Sequence, residues 1–198
     1  MPARIVVLVS GAGTNLQALI DAAQTSYEVV GVVADRGGIG GLDRAKVSGI
    51  PGVVVDPRSY PDRTSWDRAL TSAIAGFDPS WVICAGFMRI VGAPVLEAFP
   101  MRIVNTHPAL LPAFPGAHGV RDALDYGAKV TGCTVHLVDE GVDTGPILAQ
   151  RAVEIHEGDD EGSVHERIKV AERELLVDIV TRLCALGCTV DGRKVTIP

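Results

Sequence analysis

Two polar side chains close a short apolar run near the middle of the chain. Asn105 and His107 follow the run Met101 to Val104 and are separated by one residue. Because side chains two positions apart on a strand point to the same face, we expect the amide and the imidazole to face one way. An amide donor beside an imidazole can stabilise an oxyanion and move a proton, and acyl or formyl transfer requires both.

A carboxylate that could complete this pair is Asp143, which lies between Gly141 and Gly145. If it pairs with His107, it favours the charged imidazolium form. The spacing leaves a plain acidic turn residue as an equal alternative. A lone histidine at a strand end is also more often structural than catalytic. Asn105, two residues earlier at the carboxyl end of the same strand, favours a functional interpretation of His107. Ligands of parallel sheets bind at the carboxyl ends of the strands.

A glycine-rich turn, Ser10 to Leu16, joins the first predicted strand to the first predicted helix. Backbone N–H groups at such a helix start favour an anion, typically a phosphate. The alternatives are a simple glycine turn in which Thr14 caps the helix, or a dinucleotide site. A dinucleotide fingerprint requires a third glycine where Leu16 stands, although Asp35 lies at the distance expected of a ribose-binding acid.

Two further segments are open to more than one interpretation. Residues Phe87 to Val91 follow an apolar strand, so they are core by default, but a strand end with exposed backbone could contact a flat heteroaromatic ring. Arg63 and Glu172 lie in charged helical patterns and are surface residues by default.

The other histidines give weaker signals than His107. His136 alternates with core residues on a strand, which favours a surface or packing role. His156 and His165 lie in charged segments that we expect to be solvated. His118 lies in the proline-rich loop, where lining a pocket and starting a helix are equally compatible with the sequence.

Short β-branched apolar runs alternate with helical patterns, which predicts an α/β fold: a single-domain, doubly wound, mostly parallel sheet with helices on both faces. Strands are predicted at 5–9, 29–33, 52–55, 81–85, 103–105, 131–138 and 146–155, and helices at 16–23, 41–48, 63–75, 93–98, 120–126 and 163–186. The alternation in 131–138 indicates a half-exposed strand. We expect one domain over residues 1–198.

Composition excludes several classes of protein. The chain is 47% hydrophobic and 21% charged with a net charge of -6, and it has no Lys/Arg cluster, which argues against a nucleic-acid binder. No apolar run approaches the roughly 18 residues of a membrane span. Four cysteines without a C-x-x-C pair predict a reduced, cytoplasmic protein without a zinc site.

Taken together, the motifs resemble the phosphoribosylglycinamide formyltransferase family, the folate-dependent enzymes of purine biosynthesis. The resemblance covers nearly the whole chain, through residues 7–18, 85–90, 105–116 and 132–146. It implies transfer of a formyl group from 10-formyltetrahydrofolate, as co-substrate, to the amine of 5'-phosphoribosylglycinamide. It implies no metal, small-molecule partners only, and a monomer or homodimer.

The resemblance also implies roles for particular residues. The catalytic set is Asn105, His107 and Asp143. The residues implied to bind the ribonucleotide are Gly13, Thr14, Asn15 and Glu172. The residues implied to bind the folate are Arg63, Met88, Arg89, Ile90, Val91, Asn105, Asp139, Glu140, Gly141, Val142 and Asp143. Residues 1–100 then form a ribonucleotide-binding half, and residues 101–198 form a catalytic and folate-binding half.

Other functions remain open at this point. Formyltetrahydrofolate deformylase and methionyl-tRNA formyltransferase share the Asn-x-His pair and the aspartate, although they usually carry an additional regulatory or tRNA-binding domain that we do not expect here. From other classes, a nicotinamide-dependent oxidoreductase lacks its glycine at Leu16. A non-catalytic or dinucleotide-binding Rossmann-like module leaves the Asn105, His107 and Asp143 set unexplained.

Overall fold

Nine strands form one central sheet that is flanked by six α-helices. The computed structural model describes residues 1–198. The strands are β1 (Ala3–Val9), β2 (Tyr27–Ala34), β3 (Gly52–Val54), β4 (Trp81–Cys84), β5 (Ile103–His107), β6 (Val130–Leu137), β7 (Ile147–Glu154), β8 (Thr189–Asp191) and β9 (Lys194–Thr196). The helices are α1 (Thr14–Ala22), α2 (Gly40–Val47), α3 (Arg63–Ala75), α4 (Ala93–Ala98), α5 (Gly119–Tyr126) and α6 (Glu161–Leu186), and a 3-10 turn spans Pro57–Ser59.

The order of the strands is β3-β2-β1-β4-β5-β6-β7-β9-β8. The first five strands in this order are parallel to one another, whereas β6 is antiparallel to both β5 and β7. This confirms the predicted mostly parallel, doubly wound sheet. The chain winds to opposite sides from β1 and β4, and this switch point is where such folds bind ligands.

Each face of the sheet buries its own apolar core. Val104 belongs to the core that packs against α1 and α6, and its neighbour Ile103 belongs to the core beneath α3 and α4. Side chains therefore alternate between two covered faces along β5, as the pleat of a strand dictates. None of the helices combines the length and apolar character that crossing a bilayer demands.

In the second half of the chain, one prediction was wrong and one pair of strands was not predicted. The half-exposed strand predicted over 131–138 is wrong, because β6 lies between β5 and β7 and buries every residue after Val130. The C-terminal residues form an unpredicted β8–β9 hairpin that extends the sheet through the pairing of Ile147 with Lys194.

Candidate active site

The carboxyl end of β5 separates two faces of the sheet. Asn105 lies on the same face as Ile103, towards α3 and α4, whereas Thr106 points to the opposite face and contacts α6 through Glu172. The strand thus presents an amide on one side and a hydroxyl on the other. Any reaction at this edge can draw on groups from both faces.

The carboxylate of Asp143 lies between two imidazoles. Its Oδ2 is 3.3 Å from Nδ1 of His107, and its Oδ1 is 3.6 Å from Nε2 of His136. The backbone N–H of Gly116 donates to Oδ2 at 2.8 Å. The structure therefore contains the contact between Asp143 and His107 that the sequence suggested.

His107 is buried, and each ring nitrogen faces an oxygen that accepts hydrogen bonds. Nε2 lies 2.7 Å from the carbonyl oxygen of Phe114, and Nδ1 lies 3.3 Å from Asp143. A carbonyl and a carboxylate can only accept, so the doubly protonated ring satisfies both contacts at once. The geometry therefore suits an imidazolium at this position.

His136 is one of the site residues to which the sequence interpretation assigned no function. Its Nδ1 lies 2.9 Å from the carbonyl oxygen of Leu137, and its Nε2 lies 3.2 Å from Nδ2 of Asn105. Because the carbonyl accepts, Nδ1 carries a proton, and Nε2 faces both the Asn105 amide and the Asp143 carboxylate. The ring is buried and fixes which way the amide points. Only the β5–β6 pairing, which sets Asn105 opposite His136, shows this relationship.

The local environment keeps Asp143 ionised. Burial alone raises the pKa of this carboxyl, but hydrogen bonds from His136 and Gly116 and the charges of the two histidines outweigh it, so the pKa lies below its ordinary value. Asp143 also adopts a left-handed backbone conformation with a φ of 55°. Aspartate tolerates that conformation better than most residues, at a modest cost in energy.

A cleft of about 210 Å³, the Asn105 cleft, opens on the α3 and α4 face of the sheet. Its lining residues are Cys84, Phe87, Met88, Arg89, Ile90, Val91, Asn105, Ala117, His136, Val138, Asp139, Gly141, Val142 and Asp143. These include every residue predicted to bind folate except Arg63 and Glu140. His107 does not line the cleft and reaches it only through Asp143. Burial raises the pKa of the Cys84 thiol to about 12, so it is no nucleophile here.

The wall of the Asn105 cleft formed by residues 88–91 is fixed by hydrogen bonds to residues outside the cleft. The Ser10 hydroxyl accepts from the Met88 N–H at 2.9 Å, and Arg63 donates to the carbonyl oxygen of Ile90. Arg63 is not simply a solvated surface residue, because it supports this wall from outside the cleft.

Asp35 is committed to the same wall. Its fully buried side chain pairs with Arg89 at 2.8 Å and with Arg36 at 3.1 Å. Burial by itself raises the pKa of this carboxyl, yet the hydrogen bonds from the arginines and from Ser10 hold it below the ordinary value. A carboxylate engaged in this way cannot receive a ribose, which removes the support that Asp35 gave to a dinucleotide site.

A second cleft of about 270 Å³, the glycine-turn cleft, opens on the α1 and α6 face. Its lining residues are Gly11, Ala12, Gly13, Thr14, Asn15, Ala85, Gly86, Met88, Thr106, Pro108, His165, Lys169 and Glu172. No side chain caps α1: Gly13 occupies the cap position, and Thr14 is already helical. The first-turn N–H groups are therefore free for an anion, as the phosphate interpretation requires.

Glu172 is buried and organises the glycine-turn cleft, so the default surface assignment for this residue was wrong. Its carboxylate accepts from Nδ2 of Asn15 at 3.1 Å and from the Thr106 hydroxyl. Lys169 and His165 lie on the same helix and also line the cleft, although neither was predicted there. Their spacing from Glu172, three and seven residues, is the sequence signal that places all three on one helical face.

No cluster of three or more His, Cys, Asp or Glu side chains is arranged to hold a metal ion.

Comparison with known proteins gives one consistent result. Residues 3–180 match the family model described as formyl transferase. The phosphoribosylglycinamide formyltransferase of Mycobacterium tuberculosis is 54% identical over 198 residues, which cover 99% of this chain and 92% of the relative. The human trifunctional purine biosynthetic protein adenosine-3 is 40% identical over 176 residues, covering 87% of this chain and 17% of its own length. The crystal structure of glycinamide ribonucleotide transformylase 1 from Symbiobacterium toebii superimposes with a TM-score of 0.96 at 43% identity, covering 99% of this chain and 94% of that one.

Proposed function

Because the chain belongs to the formyl transferase family, we propose that it transfers the formyl group of 10-formyltetrahydrofolate to the amine of 5'-phosphoribosylglycinamide. The reaction belongs to de novo purine biosynthesis, which we assign to the cytoplasm, with small molecules as its only required partners. We treat residues 1–198 as one catalytic domain.

The observation that carries this proposal is the meeting of two clefts at the end of one strand. Asn105 lines one cleft and Thr106 lines the other, while Met88 lines both. A two-substrate transfer requires a donor and an acceptor to approach each other with the reacting atoms aligned. Substrates bound on opposite faces of the sheet would meet beside Asn105.

The Asn105 cleft is the proposed folate site. The exposed side chains of Met88, Ile90 and Val142 offer apolar surface to a flat pterin ring, and the backbone of the 139–143 loop offers polar edges. Arg63 and Glu140 lie outside the lining, so we assign them at most to the part of the folate that leaves the cleft. The site uses no metal in this proposal.

The glycine-turn cleft is the proposed ribonucleotide site. The phosphate would bind the uncapped start of α1 at Gly13, Thr14 and Asn15, opposite the ammonium of Lys169. The buried Glu172 carboxylate would accept hydrogen bonds from the ribose hydroxyls or the glycinamide amine.

The chemistry follows from the groups at the end of β5. The neutral amine attacks the formyl carbon on N10 of the folate and forms a C–N bond, and the carbonyl oxygen becomes an oxyanion. The Asn105 amide, oriented by His136, donates to that oxygen. Collapse breaks the bond from the formyl carbon to N10, while a water beside Asp143 carries the proton from the attacking nitrogen to N10.

His107 has to change one contact to join in this step. As an imidazolium it would keep Asp143 on Nδ1 and exchange the Phe114 carbonyl on Nε2 for the oxyanion. Asp143 would stabilise the charged ring throughout the reaction.

One assay tests the proposal against its alternatives. The protein is mixed with a 10-formyl folate and the ribonucleotide, and the absorbance of the deformylated folate is followed. We expect a signal only when the ribonucleotide is present. An equal signal without the ribonucleotide would identify a deformylase, and no signal under either condition would favour a non-catalytic binding module.

A further inference from the structure

One face of α6 carries a histidine that the proposed chemistry has not used. His165 lies four residues before Lys169 and seven before Glu172, so the three side chains line up along the helix. All three line the glycine-turn cleft, and His165 is half-buried there. The predicted solvated segment therefore places an imidazole against the proposed ribonucleotide site.

The charge balance in this cleft favours a second cationic hydrogen-bond donor to a bound phosphate. A phosphate monoester carries about -1.5 to -2 charges near neutral pH. Among the lining side chains, Lys169 and His165 are the two that can be cationic. Lys169 already shares its charge, because its Nζ lies 2.6 Å from Oε1 of Glu166. Glu172 adds a negative charge at the other end of the cleft.

We infer that His165 is a phosphate-binding residue, whose ring N–H donates to an oxygen of the substrate phosphate from the side opposite the glycine turn. The inference rests on the proposed function, since it concerns the ribonucleotide of that reaction. The phosphate would then lie between the start of α1 and the two cationic side chains of α6. This arrangement would select phosphorylated acceptors over the free ribonucleoside.

The test compares His165→Ala with the unmodified protein on two acceptors: the ribonucleotide and its dephosphorylated ribonucleoside. Loss of one charge-assisted hydrogen bond at a half-exposed site raises KM by about tenfold. We expect that rise for the ribonucleotide, with kcat and the KM for the folate within about twofold. On the ribonucleoside the two proteins should be equally poor, because no phosphate remains to be bound.

Two further variants make the result decisive. His165→Gln keeps an N–H donor and should give an intermediate KM. His156→Ala is the matched control, because His156 is 60% exposed and lines neither cleft, so its KM should be unchanged. The inference is overturned if His165→Ala leaves the ribonucleotide KM unchanged, or if its penalty persists on the ribonucleoside. Failure of the unmodified protein to formylate the ribonucleotide would instead refute the proposed function.

Discussion

At the scale of single residues, the site is a line of hydrogen-bonding groups: Asn105, His136, Asp143 and His107. Nε2 of His136 lies between the Asn105 amide and the Asp143 carboxylate, and that carboxylate faces both rings. Of these four residues, Asn105, His136 and Asp143 line the Asn105 cleft, and His107 does not. In the proposed mechanism, the contact with His136 holds the amide ready to donate to the oxyanion.

Replacing Asn105 with Ala tests the amide directly. Removal of one oxyanion donor typically lowers kcat by 100- to 1000-fold, about 3–4 kcal/mol. Since Asn105 is only half-buried, we expect the melting temperature to change little. Steady-state kinetics and a thermal melt of the same sample provide both values. Near-normal turnover in this variant would contradict the mechanism.

Replacing Asp143 with Asn tests the carboxylate, and the change suits the left-handed backbone that both residues tolerate. Because folding lowers the pKa of Asp143, the ionised carboxylate stabilises the fold above its ordinary pKa of about 4. That contribution disappears as the pH falls through the lowered value. The variant should be less stable by about 1–2 kcal/mol at pH 7, and the difference should narrow below about pH 4.

Urea unfolding of both proteins at several pH values measures this difference. A gap that is constant from pH 7 to pH 3 would show that the charge of Asp143 does not stabilise the fold. The same variant should lose most of its turnover at pH 7, where the charge is required.

At the scale of elements, the loops of the sheet supply the site. The glycine turn shows how strictly packing fixes the path of such a loop. Gly13 has a φ of 71°, and a Cβ there would lie 2.6 Å from Cα of Gly41 in α2. The turn is held to α2 by the bond from the Gly41 N–H to the Gly11 carbonyl at 3.0 Å. The close approach of α2 thus fixes the path that aims the start of α1 at the cleft.

Two alanine substitutions in this turn should therefore differ sharply. Gly13→Ala meets both the positive φ and the α2 backbone, so we expect a loss of about 2 kcal/mol or more and a raised KM for the ribonucleotide. Gly11→Ala meets nothing within 4 Å and should cost less than about 1 kcal/mol. Thermal melts of the two variants give the comparison, and equal losses would refute the steric argument.

The sequence predicted the elements better than it predicted their surroundings. Apolar periodicity located α3 and α4 to the residue, since their ends coincide with clear changes in pattern. It misplaced the exposure of β6, because neighbours in a sheet are set by long-range pairing that no local pattern contains. The β8–β9 hairpin did leave a signal, the pair Asp191-Gly192, which favours a tight turn.

The same limit explains which parts of the site were missed. Gly13 to Asn15 and Met88 to Val91 carry local motifs, and the structure places them in the two clefts. His136 becomes a neighbour of Asn105 only through the antiparallel β5–β6 pairing. The sequence could not show that Lys169 lines a cleft, because the packing of α6 in the fold decides which way that face of the helix points. The spacing of residues along the sequence does not reveal contacts that form only when distant elements pack together.

At the scale of the whole molecule, the sheet separates the two clefts that we propose as binding sites. The glycine-turn cleft draws on α1 and α6, and the Asn105 cleft draws on the loops after β4 and β6. Because strand side chains alternate, one strand end can serve both sites without their overlapping. Met88 is the side chain common to both linings. The partition predicts that the affinities for the two substrates can be changed separately.

Three variants test this separation. Lys169→Ala should raise the KM for the ribonucleotide by about tenfold and leave the KM for the folate unchanged, because its ammonium lines one cleft only. Ile90→Ala should do the reverse by about fivefold, the equivalent of roughly 1 kcal/mol of apolar contact. Met88→Ala should raise both values. Ile90 and Met88 are 61% and 73% exposed, so these changes should not disturb folding.

Steady-state kinetics with each substrate varied in turn measure all six values. Lys129→Ala is the matched control for Lys169→Ala, because Lys129 is an exposed lysine that lines neither cleft. If Lys169→Ala and Ile90→Ala each shift both KM values together, the two substrates share one site and the partition is wrong. If the shifts stay separate while Met88→Ala combines them, the two substrates meet where the two clefts adjoin at Met88.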